Sequence, residues 1–157
     1  MNITLVLVGR TTQEPLQKLI ETYVGRLQHY ATFQVETIKD LTANNLTTDQ
    51  IKVKEGEMIL KTIPSSAYLI LLDERGKMYS SVDFAIFLQQ TNQTYPSKNI
   101  CFVVGGAFGF SQSVYARADA MLSLSKMTFT HQMIRLLFVE QLYRAFTIIN
   151  GEKYHHE

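Results

Sequence analysis

The 157-residue sequence contains no tryptophan, one cysteine and three prolines, and its formal net charge is only +1. A single cysteine cannot close an internal disulfide, which removes the disulfide-stapled scaffolds and fits a reducing compartment. Cys101 lies in the apolar run "NICFVVGG" and reads as a buried structural thiol, because such neighbours raise the pKa of a nucleophile. The missing charge excess means that the whole-molecule field points to no acidic partner, so any such argument rests on local placement. No apolar run reaches the roughly 18 residues that a membrane span needs. The opening "MNITLVLVGR" has no cationic stretch before its short apolar core, unlike a signal peptide. A soluble, cytoplasmic protein is expected, with no membrane partner. No Cys/His or carboxylate cluster has metal-ligand spacing, so no metal is expected.

What is present is an ordinary folded composition, 46% hydrophobic and 18% charged, in a chain long enough for one domain, residues 1–157, with a real core. Short β-branched runs alternate with helical patterns. "ITLVLVG" (3–9), "FQVETI" (33–38), "AYLILLDE" (67–74), "NICFVVGG" (99–106) and "AMLSLS" (120–125) read as strands. Between them lie helical patterns over 14–30, from Thr48 or Asp49 as cap to about Lys61, over 81–90, and over 111–118. Ile51, Met58, Ile59 and Val53 are expected to face inward in the second helix. "ERGKMYSS" reads as a loop, a last helix covers about 130–150, and "GEKYHHE" is a tail. This alternation predicts an α/β fold, a mainly parallel sheet with helices on both faces.

Ligands of such sheets bind beyond the carboxyl ends of the strands. After the first strand the chain reads "VGRTTQE", with one glycine and no dinucleotide fingerprint. The glycines cluster instead in "VVGGAFGFS", at Gly105, Gly106 and Gly109. No Gly-Lys-Ser/Thr follows, so this is no Walker phosphate loop; a tight turn and a ligand loop remain equal readings. If strands 3, 4 and 5 are neighbours, three strand ends converge on one crevice: Leu72-Asp73, Gly105-Gly106 and Leu124-Ser125-Lys126. The last of these opens "LSLSKMTFTHQMIR", a hydroxyl-rich and cationic run at the mouth of the most apolar helix.

His131, His155 and His156 lie in the C-terminal part with Lys126, Arg135, Arg144 and Lys153, a set that suits a phosphate-rich partner. Against this, Arg144 can pair with Glu140 at i,i+4, and the tail histidines can be loose. Arg135 and Arg144 are nine residues apart, about 900° of helix, so they face opposite sides and cannot serve one site in one subunit. His131 and Arg135 can share a face. "MIRLLFVEQLYRAFTII" is apolar around much of its circumference, which predicts burial by a second subunit and hence a homodimer.

"VVGGAFGFS", "LSLSKMTFTHQMIRLLFVEQLYRAF" and "GEKYHHE", with "KEGEMIL" and "LDERGKMYSS" upstream, resemble the bacterial 23S rRNA pseudouridine-N3 methyltransferases of the SPOUT class. The resemblance covers the whole chain. It implies a C-terminal trefoil knot, an exception to the rule against knotted chains, and S-adenosylmethionine as cofactor. Carried over, the cofactor-binding positions are Leu72, Gly105, Leu124, Ser125, Lys126, Met127, Thr128 and Phe129. It implies a homodimer acting on a pseudouridine of large-subunit rRNA in the assembled ribosome. Tyr154, His155, His156 and Arg144 become the candidates near the target base, with Lys126, His131, Arg135 and Arg144 as RNA contacts. One departure is Thr130, where the family often has proline; a threonine can cap the helix entry instead. Two other readings stay open: a non-catalytic ribosome- or RNA-binding assembly factor, and a small-nucleotide sensor using the glycine loop.

Overall fold

The computed structural model describes residues 1–156. Ten elements alternate along the chain: β1 (Asn2–Val8), α1 (Glu14–Leu27), β2 (Thr32–Ile38), α2 (Thr48–Thr62), β3 (Tyr68–Met78), α3 (Ser81–Thr94), β4 (Ile100–Val104), α4 (Gln112–Arg117), β5 (Ala120–Ser123) and α5 (Met133–Ile149). The five strands form one all-parallel sheet in the order β2-β1-β4-β3-β5. β1 and β4, central in that order, are apolar runs buried on both faces, as parallel strands covered by helices must be. β2 is an edge strand, and only Phe33 and Ile38 of its alternation are buried.

One apolar layer joins α1, α3 and α5 to the sheet through Ile20, Leu88, Phe102, Phe138 and Leu142. The opposite face carries α2 and α4, packed through Ile59, Leu71, Val103 and Val114. Helices therefore cover both faces, as the sequence predicts. Cys101 is fully buried, and burial pushes its thiol up to about 11, an inert structural group. None of the helices among the described residues is long and apolar enough to cross a membrane.

Helix entries follow local capping. Thr47, one residue before the expected cap, accepts from the Gln50 N–H at 3.2 Å while the Gln50 side chain accepts from the Thr47 N–H at 3.0 Å. Along α2, Ile51 and Ile59 point inward as expected; Val53 is exposed and Met58 is only partly covered, and Glu55 and Gly56 are buried instead. α5 begins at Met133, later than 130. The turn before it is closed by Thr130, whose Oγ1 accepts from the Met133 N–H at 3.1 Å and whose carbonyl accepts from the Ile134 N–H at 3.1 Å. Threonine thus does by capping what proline would do by fixing φ.

The largest departure is at β3. The expected loop "ERGKMYSS" is in part a continuation of the strand. Leu72 and Lys77 both lie opposite Leu122, so Asp73–Gly76 bulge out before Met78 pairs with Ser123. Gly76 makes this possible: a Cβ there would lie 2.6 Å from the backbone N and C of Leu122. A polar bulge of this kind carries no alternation signal, which is why the sequence reads as a loop.

Candidate active site

Because β4, β3 and β5 are adjacent and in register, Val104, Leu72 and Leu122 end side by side. The three irregular segments after them converge, as the sequence predicts. From Leu124 to Gln132 the chain runs back past β3 and β4 and is stitched to the end of β1. Gln132 accepts from the Thr12 N–H at 2.9 Å and donates to the Arg10 carbonyl at 3.0 Å. The result is a cleft of about 970 Å³. Its lining includes Leu72, Gly105, Leu124, Ser125, Met127, Thr128 and Phe129, which is every expected cofactor position except Lys126. Lys126 is exposed at the loop surface.

The floor is built by close approach. A Cβ on Gly105 would meet the Phe110 ring at 3.1 Å, and one on Gly106 would meet Glu55 Oε2 at 2.8 Å. A side chain at either position would have to push one of these groups aside, and the bare main chain leaves its backbone groups open to a ligand. Apolar walls from Leu72, Val104, Leu122 and Ile134 meet a polar rim of hydroxyls, a composition that suits a nucleoside with polar ends. Within the loop, Ser125 Oγ accepts from the Met127 N–H at 3.0 Å and Ser123 Oγ donates to the Ser125 carbonyl at 2.9 Å, which fixes its curvature.

One rim group escaped the sequence reading. Tyr115 donates its hydroxyl to Asp73, and Arg75 pairs with Asp73 at 3.3 Å while its guanidinium lies 4.4 Å from the Tyr115 ring centroid. Burial alone would raise Asp73, yet the bonds from Tyr115 and Arg75 hold its carboxyl below the ordinary value. The signal available was "LDERG", a charge cluster at a strand end, but nothing in the sequence ties it to Tyr115.

His131 stands on the cleft wall. Burial and the nearby Arg135 lower its pKa against a smaller opposing pull from Asp40, so it is neutral near pH 7. Arg135 corrects the sequence reading. It is fully buried, donating to the carbonyls of Val8 (2.7 Å), Gly9 (2.9 Å) and His131 (3.0 Å) and to Thr11 Oγ1 (3.2 Å). Four of its five N–H donors are spent inside the protein, and the buried group is out of reach of RNA phosphate. Helical spacing placed it beside His131 but could not tell burial from exposure.

Arg144 occupies the other side of α5, as the geometry requires. It pairs with Glu140 at 2.6 Å, as the plain helix-surface reading had it. The pair is also the anchor of the tail. Tyr154 donates to Glu140 at 3.0 Å, Arg144 lies 4.8 Å from the Tyr154 ring centroid, and Arg144 reaches His155 Nδ1 at 3.4 Å. Tyr30 adds a bond to Glu152 at 2.8 Å. Tyr154 and His155 are therefore held, while His156 is exposed. None of Arg144, Tyr154, His155 and His156 lines the cleft of its own chain. Arg144 and Tyr154 bond to Glu140, which lines an apolar groove of about 630 Å³ that shares Leu122, Leu124 and Phe129 with the cleft.

Residues 1–155 match the family model described as a predicted SPOUT methyltransferase. The chain belongs to the SPOUT methyltransferase family. Of the readings left open by the sequence, this favours the enzyme. The chain is 52% identical to the Ribosomal RNA large subunit methyltransferase H of Christiangramia forsetii over 99% of both chains. It is 49% identical to the protein of the same name from Parabacteroides distasonis over 100% of both. Among solved structures, a probable methylase family protein from Haemophilus influenzae aligns with a TM-score of 0.54, covering 98% of this chain and 68% of that one. At 14% identity that likeness speaks for this SPOUT methyltransferase's fold alone. Among the described residues no group of three or more His, Cys, Asp or Glu is placed to hold a metal ion.

Proposed function

We propose that this SPOUT methyltransferase transfers a methyl group from S-adenosylmethionine to N3 of a pseudouridine in large-subunit rRNA, on the assembled ribosome. One observation carries the reading: the three strand ends close on a glycine-floored cleft lined by Leu72, Gly105 and the 124–129 loop. The rRNA substrate is supported by the names of the full-length relatives. The chain works in the cytoplasm as one domain, and the passage of residues 124–135 back to β1 is read as closure of a trefoil knot.

The cofactor supplies a methyl group on a sulfonium, whose departure as a neutral thioether is already easy. The protein's part is therefore alignment and removal of the N3 proton. Leu72, Gly105 and the loop from Leu124 to Phe129 hold the cofactor, with the apolar walls excluding water. Lys126 and His131 face the incoming RNA from the loop and the wall.

The target base is handled by Tyr154, His155, His156 and Arg144. Burial, with hydrogen bonds to Tyr23 and Glu140, raises the Tyr154 pKa, so its ring stays neutral and serves as a stacking surface and donor, not a base. His155 and His156 are the candidate proton acceptors. Since these groups lie outside their own cleft, they act on that of a partner in a homodimer. The apolar groove formed by Leu19, Tyr23, Phe129, Leu136 and Leu137 supports such an interface. Leu136 and Leu137 of α5 are only partly covered there, and the groove adjoins the cleft.

Calorimetric titration with S-adenosylmethionine tests the cofactor assignment. Gly105→Val presses a branched side chain into the Phe110 ring, and its affinity should fall at least tenfold. Unchanged affinity would place the cofactor elsewhere. Truncation after Gly151 removes the tail cluster; methylation of ribosomes should fall by about 100-fold or more while cofactor affinity changes less than threefold. Full activity without the tail would take the catalytic role away from Tyr154, His155 and His156.

A further inference from the structure

Glu55 is used by nothing described so far. It is a carboxyl in the middle of α2, only 3% exposed, in a helix whose other buried positions are apolar or glycine. Its Oε1 is buried and has no hydrogen-bond partner. Its head abuts the cofactor loop from behind, since a Cβ on Gly106 would meet Oε2 at 2.8 Å and Oε1 at 2.9 Å. The next residue, Gly56, leaves room for Ser111, whose Oγ would sit 2.2 Å from a Cβ there. α2 is thus pressed onto the glycine loop and the start of α4, with a carboxyl at the point of contact.

A buried carboxyl without a partner lowers stability when it ionises, so it is an odd choice for packing alone. The charged neighbour acting on it is Asp40, from the connection after β2; the glycine loop and α4 bring Gly106 and Ser111, both uncharged. No cation among the described residues is paired with it. Burial, with a smaller push from Asp40, raises Glu55 to about 7, so near neutral pH both protonation states are populated. The missing positive charge can come from the cleft side of the loop. The methyl donor is cationic at sulfur, and the product left after transfer is not.

We propose that Glu55 is a positioning residue of the cofactor loop that, when ionised, favours the sulfonium cofactor over its uncharged-sulfur product. This rests on the cofactor assignment made above. The carboxylate acts through the loop, from behind Gly106, without touching the ligand. Its attraction for the sulfonium across the thin glycine floor is moderate, and the product, alike in every other charge, feels none of it. Linkage then requires the converse: binding the sulfonium lowers the Glu55 pKa and expels a proton.

The test measures affinities for S-adenosylmethionine and S-adenosylhomocysteine by calorimetry at pH 6 and pH 8, in the intact protein and in Glu55→Gln. In the intact protein the preference for the sulfonium ligand should grow by about threefold across that interval, the size of one partly screened charge pair. In Glu55→Gln the preference should not change with pH. His131 also lines the cleft and its pKa is lowered by burial and Arg135, but it is present in both proteins, so the difference between them isolates Glu55. The intact protein gives a second readout in buffers of different ionisation enthalpy at pH 7. Binding the sulfonium ligand should release a fraction of a proton that binding the product does not. A flat preference in the intact protein, an equal slope in Glu55→Gln, or equal proton release by both ligands would overturn the role of Glu55 while leaving the cleft intact. Failure of both ligands to bind the intact protein would overturn the cofactor assignment and this inference with it.

Discussion

Replacing Arg135 by alanine should lower the stability of the protein by about 4 kcal/mol, the largest loss expected from any α5 substitution. The guanidinium is fully buried and donates to the carbonyls of Val8, Gly9 and His131 and to the Thr11 hydroxyl. Removal leaves three carbonyls in a dry cavity, each costing about 1–3 kcal/mol when unpartnered, and a void where the side chain was. For a chain of this length that corresponds to a fall in Tm of roughly 12 °C. Arg135→Lys should recover only part of it, because a single ammonium cannot span a fan of acceptors set for a planar fork. Thermal and urea unfolding check this. A loss below about 1 kcal/mol for the alanine variant would mean that the loop between β5 and α5 is not held to β1 by this residue.

Gly76→Ala should be more damaging than its size suggests. The added Cβ would stand 2.6 Å from two backbone atoms of Leu122 and 2.7 Å from the carbonyl carbon of Met121. Backbone cannot swing aside as a side chain can, so β3 and β5 must part. That pairing aims the 124–129 loop at the cleft, so the consequence reaches function as well as folding. We expect a loss of at least 3 kcal/mol, by analogy with other overpacked positions, and cofactor affinity at least tenfold weaker in whatever folds. Gly76→Val should give little soluble protein. Soluble yield, Tm and calorimetry read the three effects, and an alanine variant within 1 kcal/mol of the parent would contradict the register slip at Leu72 and Lys77.

These two residues also mark where the sequence stops being informative. The parallel sheet, the helices on both faces and the convergence of three strand ends follow from periodicity and chain order, because buried strands and amphipathic helices each have a pattern of their own. The cleft was legible for the same reason: "VVGGAFGFS" and "LSLSKMTFTHQMIR" break their patterns at strand ends, where open α/β sheets bind ligands. Thr130 was legible too, since capping is a local device and its hydroxyl accepts from Met133 as a cap should. Gly76 was not, because the close crossing of β3 and β5 depends on a register slip between distant segments. Arg135 was assigned to RNA because charge is visible in a sequence and burial of charge is not. Glu55 was passed over for a related reason: one carboxyl in a polar-looking helix gives no sign that it backs a glycine loop about 50 residues away. Asp73, Arg75 and Tyr115 form their rim cluster only after α4 folds back onto β3.

The methyl transfer to ribosomal RNA proposed for this cleft is tested by giving the protein labelled S-adenosylmethionine and ribosomes from a strain lacking the modification, then mapping the label by mass spectrometry. One labelled methyl group is expected on N3 of a pseudouridine in the large-subunit rRNA, with transfer by Gly105→Val sharply reduced at subsaturating cofactor. Label on another base or on protein, or no transfer by a preparation that binds the cofactor, would contradict the proposal.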